Sequence, residues 1–206
     1  MPLDILFQDT QIIVANKPAG LLSVPGKLAG RQDCLTSRLQ AAFWDALLVH
    51  RLDCDTSGVI IYARTKQAQG FLGQEFEKRR TAKTYIARIW GRPDGDHGHI
   101  DLPLCTDWPN RPRQMVDHEN GRPAQTDWTV LDSDGATSRV ALTPLTGRSH
   151  QLRVHMLALG HPILGDPIYA TGAARDYPRL MLHAQTLGLH HPAIGEWVTF
   201  SAPVPF

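Results

Sequence analysis

Residues 50–63 read HRLDCDTSGVIIYA, a polar loop that leads directly into an apolar run. The run at 59–63 is short, continuous and rich in β-branched residues, which is typical of a buried strand. Gly58 stands at its start and permits a tight turn of the backbone. The stretch therefore places the carboxylate of Asp53, with Arg51 two residues before it, on a loop at the end of a buried strand.

The residues of this loop leave its role open when they are taken alone. The hydroxyls of Thr56 and Ser57 are expected to hold the loop through local hydrogen bonds. Structural carboxylates far outnumber catalytic ones, so the spacing favours a loop cap for Asp53 and a surface ion pair for Arg51. The same interpretation applies to Asp55, and the spacing does not separate the two acids.

The remainder of the chain predicts more strands than helices. Strands are predicted at 11–16, 83–91, 125–131, 138–145, 181–189 and 197–202. Helices are predicted from 35 over at least the first part of 35–48, from the N-cap Thr65 to about 78, and from the N-cap Ser149 over 150–159, where Gly160 and Pro162 are stop signals. Because strands follow one another without regular βαβ alternation, the prediction is an α+β fold with a mainly antiparallel sheet.

Composition excludes several classes of protein. The chain has 206 residues, of which 42% are hydrophobic and 20% charged, as in an ordinary globular protein with one or two domains. It contains neither an apolar stretch of about 20 residues nor a secretory signal, so neither a membrane partner nor export is expected. The three cysteines form no CxxC pair, and the histidines lack HExxH spacing. We therefore expect no disulfide, no metal and a cytoplasmic location.

Basic residues occur in three groups, although the net charge is only +1 at pH 7. The groups are Lys78 to Arg80 with Lys83, Arg111 with Arg113, and Arg148 with Arg153. Each group alone is typical of a solvated face, but three groups beside motif-like segments favour a polyanionic partner modestly. On the predicted third helix, His150 and Arg153 share a face, while Leu152, Met156 and Leu159 can face the core. Arg153 could hold a carboxylate, or it could be a surface arginine on an amphipathic helix.

Four segments together resemble the RluA family of pseudouridine synthases. They are residues 50–58 (HRLDCDTSG), 83–87 (KTYIA), 121–126 (GRPAQT) and 142–156 (LTPLTGRSHQLRVHM). The match continues through 160–166 (GHPILGD) and covers nearly the whole chain. The resemblance implies a pseudouridine synthase fold, with a mixed, mainly antiparallel sheet flanked by helices and loops around a central catalytic cleft. It also implies one catalytic domain over 1–206, without the N-terminal S4-like RNA-binding domain of several relatives.

The family's functional residues are carried over position by position. Asp53 matches the essential aspartate and is the expected nucleophile, whereas Asp55 falls at a variable position, which argues against a catalytic role for it. Tyr85 matches the tyrosine that packs on the target base. Arg153 matches the arginine that pairs with the aspartate; Arg148 is the second candidate, and its alternative role is contact with phosphate.

Further residues are expected to bind RNA. Arg51 matches the residue that enters the helical stack when the uridine leaves it. The other expected RNA-binding residues are Arg80, Lys83, Arg111, Arg113, Arg148 and His150. The reaction breaks the N1–C1′ bond of uridine and rejoins the base through C5 without redox change, so no cofactor is expected. A monomer is the default expectation.

Residues 16–26 and 107–112 are in addition similar to a dual-specificity member of this family. That similarity implies two RNA partners, 23S rRNA and the tRNA anticodon stem-loop. Three alternatives stay open at this point. They are a single-substrate synthase of the same family, a non-catalytic RNA-binding or chaperone module, and a glycoside hydrolase that uses Asp53 and Asp55 as its acid pair. The last ranks lowest, because no aromatic pattern for sugar binding supports it.

Overall fold

A computed structural model describes residues 3–26 and 32–206. The chain forms two compact units, here called unit 1 (Met1–Lys83 with His183–Pro205) and unit 2 (Thr84–Leu182 with Phe206). The single catalytic domain expected from the resemblance stays a prediction. Among the described residues, no helix has both the length and the apolar character needed to cross a membrane.

The secondary structure confirms the α+β prediction. The strands are β1 (Ile5–Gln8), β2 (Ile12–Lys17), β3 (Leu47–Leu48), β4 (Ser57–Ala63), β5 (Ala82–Trp90), β6 (His97–Asp101), β7 (Leu104–Thr106), β8 (Gln114–Val116), β9 (Gln125–Ser133), β10 (Thr137–Pro144), β11 (Leu182–His190) and β12 (Trp197–Ser201). The helices are α1 (Leu35–Ala42), α2 (Lys66–Glu77) and α3 (Gln151–Ala158), and two short 3-10 helices occupy Trp108–Asn110 and Gly172–Ala174.

Unit 1 is built on strands in the order β1-β2-β4-β11-β12, with β3 also paired to β4. Every residue of β4 is buried, because it is central in this sheet and packs against α2. The helix α2 begins where the sequence predicts, with the Thr65 hydroxyl accepting a hydrogen bond from the Ala68 N–H at 3.1 Å. The core of this unit is apolar and includes Ile12, Ile61 and Leu72.

The parallel pairing of β4 with β11 determines how the Asp53 loop enters the sheet. Ser57 lies opposite His183, and Gly58 lies opposite Ala184. Gly58 has φ +115°, and a Cβ atom there would lie 2.1 Å from the Ala184 carbonyl oxygen, so the position requires glycine. The strand begins at Ser57, two residues before the predicted start. The Ser57 hydroxyl contacts His183 Nδ1 at 2.8 Å, a long-range contact that the sequence did not predict.

Unit 2 contains the antiparallel strands β5-β10-β9-β6 and the separate hairpin β7-β8. Its core gathers Ile89, Trp128, Leu142 and Met156. The helix α3 contacts β8 and β10, and it therefore connects the hairpin to the sheet of this unit.

The helix α3 differs from its prediction at the N-terminus and on its faces. Its N-cap is His150 rather than Ser149, in a left-handed conformation with φ 54° and without a side-chain cap. Six consecutive residues, Gln151 to Met156, are buried, so the amphipathic prediction was wrong. Leu159 is 37% exposed rather than in the core. Gly160, with φ +89°, follows the helix end as predicted.

Candidate active site

The loop that carries Asp53 is held in unit 1 by backbone hydrogen bonds on both sides of the residue. Before it, the Leu52 N–H donates to the Ser23 hydroxyl at 3.1 Å, and that hydroxyl donates to the Leu52 carbonyl at 2.7 Å. After it, the Thr56 N–H donates to the Asp53 carbonyl at 3.2 Å. Asp53 itself is half-buried, and Arg51 is exposed. The backbone is thus fixed around a carboxylate that retains access to solvent.

A buried lysine, Lys17, also supports the Asp53 loop. Lys17 is 0% exposed, and its ammonium donates to three carbonyl oxygens, those of Pro18 at 2.9 Å, Leu21 at 2.6 Å and Cys54 at 2.8 Å. The Cys54 carbonyl also accepts from the Gly20 N–H at 3.0 Å. The Cys54 carbonyl, one residue after Asp53, is therefore held both by the Lys17 ammonium and by a backbone N–H.

The first residue of the loop, His50, is a neutral imidazole. Its Nε2 accepts a hydrogen bond from the Ile61 N–H of β4 at 3.1 Å, and its ring stacks on Phe76 with centroids 4.5 Å apart. Burial, and secondarily the charge of Lys83, lower the pKa of His50 to about 3. Because Nε2 is an acceptor, the neutral ring carries its proton on Nδ1. The sequence contains no separate signal for this role.

The basic group at the end of α2 is only partly directed to solvent. Arg80 pairs with the buried carboxylate of Glu75 at 2.6 Å. Lys83 is half-buried, and burial together with the nearby charge of Arg79 lowers the pKa of its ammonium. The predicted RNA contacts of Arg80 and Lys83 therefore stay predictions, and the structure adds an internal role for Arg80.

In unit 2, Arg153 forms a buried ion pair with Asp166. The guanidinium Nε and Nη2 each lie 2.7 Å from a carboxylate oxygen, and the two side chains are 2% and 0% exposed. Asp166 Oδ1 also accepts from the N–H groups of Ile168 and Tyr169. This bidentate geometry fixes the plane of the guanidinium. The alternative of a surface arginine was wrong.

Tyr169 gathers three of the predicted site residues around one ring. The guanidinium carbons of Arg153 and Arg113 each lie 5.0 Å from its ring centroid. Its hydroxyl lies 2.7 Å from His150 Nδ1 and accepts from the Gln114 N–H at 2.8 Å. Burial raises the pKa of Tyr169, so the hydroxyl is a stable neutral partner. The structure thus joins the start of α3, the hairpin and Arg153.

The other predicted residues of unit 2 have separate surroundings. Tyr85 lies on β5 opposite Leu142 and is partly buried against the core. Arg148 donates from Nε to the Pro123 carbonyl at 3.1 Å, and the Arg111 guanidinium lies 4.5 Å from the Trp108 ring. Asp53 and Arg51 belong to unit 1, so the joint roles assigned to Asp53, Tyr85 and Arg153 stay predictions.

Lys17 and His50 support candidate residues of unit 1, and Asp166 and Tyr169 support candidate residues of unit 2, although the sequence did not predict these roles. Lys17, His50 and Asp166 fall inside motif segments, which is the one signal that the sequence offers for them. Within the described ranges, no group of three or more His, Cys, Asp or Glu side chains has a geometry that could hold a metal ion.

Comparison with known proteins gives consistent results. Residues 11–158 match the sequence model of a family described as RNA pseudouridylate synthase. The chain is 54% identical over 206 residues to the dual-specificity RNA pseudouridine synthase RluA of Escherichia coli strain K12, covering 99% of this chain and 94% of that protein. The Yersinia pestis protein of the same name is 53% identical over 205 residues, with coverages of 98% and 99%. The solved structure of human RNA pseudouridylate synthase domain containing 1 superposes with a TM-score of 0.84 at 33% identity, covering 100% of this chain and 84% of that chain.

Proposed function

This chain belongs to the RNA pseudouridylate synthase family and is an RNA-modifying isomerase, and we propose that it converts specific uridines in both 23S rRNA and the tRNA anticodon loop. Support for the two substrates comes from relatives that are 53–54% identical and are named dual-specificity synthases. We further propose that it acts as a monomer in the cytoplasm, where these RNA substrates reside.

The observation that carries the catalytic assignment is the fixed loop around Asp53. Ser23, Lys17 and the Thr56 N–H hold the backbone on both sides, while the carboxylate stays partly accessible. A nucleophile needs such a fixed approach to the reacting carbon. In the proposed reaction, Asp53 assists cleavage of the N1–C1′ bond, by attack at C1′ or C6 or by removal of the 2′ proton toward a glycal. The base then turns, C5 bonds to C1′, any bond to Asp53 is released, N1 takes up a proton and the C5 proton is lost to solvent, so that the product is an isomer of uridine.

Tyr85 and Arg153 are proposed to complete the chemistry. Tyr85 provides an aromatic face for the base during rotation and a hydroxyl that can help to move the C5 proton. Arg153 is proposed to orient Asp53, and the ion pair with Asp166 supports this role because it holds the guanidinium in one plane. Arg51, which is exposed, is proposed to fill the vacancy left by the extruded uridine. That contact would offset part of the roughly few kcal/mol that unstacking costs.

The remaining basic residues are proposed to contact phosphates around a folded loop. Arg80 and Lys83 are the candidates in unit 1, and Arg111, Arg113, Arg148 and His150 are the candidates in unit 2. Binding through such contacts falls with rising salt, because each neutralised phosphate releases counterions. Folded RNA loops are recognised through splayed bases together with backbone contacts, which fits an enzyme that must extrude its target.

The catalytic assignment is tested by tritium release from RNA that carries C5-labelled uridine. Wild-type protein should release the label, and Asp53→Asn should not. Asp55→Asn is the matched control, since it removes a neighbouring loop carboxylate, and it should retain release. Release by Asp53→Asn at the wild-type rate would overturn the assignment and would favour the non-catalytic RNA-binding alternative.

The substrate assignment is tested by mapping pseudouridine in a strain that lacks the gene. Loss of modification at one site in 23S rRNA and at one site in a tRNA anticodon loop is expected. Loss in only one RNA class would replace the dual assignment with the single-substrate alternative.

A further inference from the structure

The structure points to a base-stacking platform at the tip of the β7-β8 hairpin, and we propose that Trp108, with Arg111 against its ring, binds one unpaired base of the RNA substrate. The inference rests on the proposed function and names a recognition contact within it. Trp108 is 68% exposed, so much of its side chain is open to a ligand. The Arg111 guanidinium carbon lies 4.5 Å from its ring centroid.

The platform is carried on a fixed backbone. At the base of the tip, the Asp107 N–H donates to the Arg113 carbonyl at 3.0 Å. Within it, the Asn110 N–H donates to the Asp107 carbonyl at 3.1 Å, and the Arg113 N–H donates to the Asn110 carbonyl at 3.0 Å. The Asn110 side-chain amide lies 3.0 Å from both carboxylate oxygens of Asp107. Because the backbone that carries the ring is already fixed, little conformational entropy of the protein is lost when a base stacks on Trp108.

The hairpin is also tied to the surroundings of Arg153. Tyr169 accepts from the Gln114 N–H at 2.8 Å, and Arg113 donates from Nη1 to the Ile168 carbonyl at 2.6 Å. The same tyrosine ring lies beneath Arg153. These contacts all belong to unit 2, so a base held on Trp108 has a defined position relative to Arg153. We infer that the platform sets the register of the RNA as well as adding affinity.

The chemistry of the pair selects for nucleic acid. Every base has a π face that can stack on indole or on a guanidinium plane, and proteins bind unpaired RNA in this way. Arg111 adds a positive charge that a flanking phosphate can meet. The nearby carboxylate of Asp107 accepts hydrogen bonds from the Asn110 amide and keeps its negative charge, but Arg111 and Arg113 leave residues 107–113 with a net charge of +1. An apolar protein partner would gain from the indole and would be opposed by the charge of Arg111.

The test measures binding of a fluorescently labelled tRNA anticodon stem-loop to Trp108→Ala, Trp108→Phe and wild-type protein. Loss of stacking should weaken binding by about 5- to 150-fold in Trp108→Ala. Trp108→Phe should retain most of the affinity. The matched control is Trp44→Ala, because Trp44 is 88% exposed and lies in unit 1, where Arg64 is placed over its neighbour Phe43 instead. This control should stay within about twofold of wild type.

Two further readouts make the outcome specific. Stacking should quench the indole, so RNA-dependent quenching should be lost in Trp108→Ala and kept in Trp44→Ala. A blunt RNA duplex without unpaired bases should bind wild type and Trp108→Ala equally. An equal loss of stem-loop affinity in Trp108→Ala and Trp44→Ala would overturn the platform. So would a loss of duplex affinity in Trp108→Ala as large as its loss of stem-loop affinity. Wild-type tritium release is scored separately: release with unchanged binding by Trp108→Ala rejects only the platform, and absence of release rejects the proposed function.

Discussion

The two units hold their candidate catalytic residues by different physical means. In unit 1 the Asp53 loop is supported by backbone hydrogen bonds, by the neutral ring of His50 and by the Lys17 ammonium, which donates to the carbonyl oxygens of Pro18, Leu21 and Cys54. In unit 2 the Arg153 guanidinium is supported by an opposite full charge, the buried carboxylate of Asp166. The contacts described for the unit 1 loop thus hold the backbone on both sides of Asp53, whereas in unit 2 the Arg153 side chain itself forms half of a buried ion pair.

This difference separates stability from chemistry. A substitution that leaves the supporting contacts in place should change the reaction rate and leave the free energy of unfolding nearly unchanged. Substitution in a buried ion pair leaves an uncompensated charge and therefore affects folding first. Substitutions in the two units can therefore show whether loss of activity and loss of stability are separated in this way.

The largest effect is expected for Asp53→Asn, and it should fall on turnover alone. Removal of a nucleophilic carboxylate should lower the single-turnover rate by at least about 10³-fold. The free energy of unfolding should change by less than about 0.5 kcal/mol, since asparagine keeps the shape of aspartate and the substitution leaves the backbone contacts of Ser23, Lys17 and Thr56 in place. Rates are measured by quenched single turnovers, and stability by urea denaturation. A comparable loss of stability would erase the contrast between the units.

The next effect is expected for Asp166→Asn, and it should fall on stability. Leaving Arg153 buried without its charge partner should lower the free energy of unfolding by about 3–5 kcal/mol. The matched control is Asp96→Asn, which breaks the exposed Arg92–Asp96 pair of the same unit, 2.6 Å between N and O. That control should cost less than about 0.5 kcal/mol. Equal costs in the two variants would mean that the buried pair has no special weight.

The sequence predicted most elements and failed where distant residues decide the local backbone. The start of α2 was predictable, because the Thr65 cap uses an N–H only three residues away. The start of α3 was not, since His150 takes a left-handed conformation while its Nδ1 contacts Tyr169, which is 19 residues further on. The parallel pairing of Ser57 with His183 joins residues 126 positions apart and has no local signature.

The site followed the same rule. The loop around Asp53 was identified because motif, glycine and strand are contiguous. The partner of Arg153 was missed because Asp166 follows the stop at Gly160 and reaches back from another segment. Likewise, the pattern that indicated an amphipathic α3 could not show that both faces are covered.

The pH dependence of the free energy of unfolding should reveal the neutral imidazole of His50 in unit 1. The folded protein holds the pKa of His50 at about 3, against about 6.5 when unfolded, so the unfolded state binds the extra proton between these values. The stability contributed by this histidine is complete above about pH 6.5 and is lost as the pH falls toward 3, at roughly 1.4 kcal/mol per pH unit.

We expect His50→Gln to remove the contribution of this histidine to the slope of the free energy of unfolding against pH. A glutamine oxygen can accept the Ile61 N–H without titrating. Urea denaturation of both proteins from pH 8 to pH 4 checks this: the two curves should be parallel above pH 7 and diverge below pH 6, with wild type the steeper. Parallel curves over the whole pH range would rule out the neutral imidazole of His50 as the source of the pH-dependent loss of stability.

The smallest effect is expected for Tyr169→Phe. The ring beneath Arg153 and Arg113 is retained, and only the hydroxyl that meets His150 and the Gln114 N–H is lost. The free energy of unfolding should fall by about 1–2 kcal/mol, the usual result of leaving buried polar groups unpaired. Thermal and urea unfolding measure it. A change as large as that of Asp166→Asn would place the hydroxyl, rather than the ion pair, at the centre of unit 2.

The pairing of β4 with β11 also dictates an order of events during synthesis. Unit 1 consists of two chain segments, and the second begins at His183, after Thr84–Leu182 of unit 2 has been made. The strand that follows the Asp53 loop therefore emerges from the ribosome long before its neighbour β11. Contacts of such sequence separation form slowly, because a long loop must close first. A nascent chain interrupted between residues 64 and 181 would contain Asp53 and β4 and would lack β11, the parallel neighbour of Gly58.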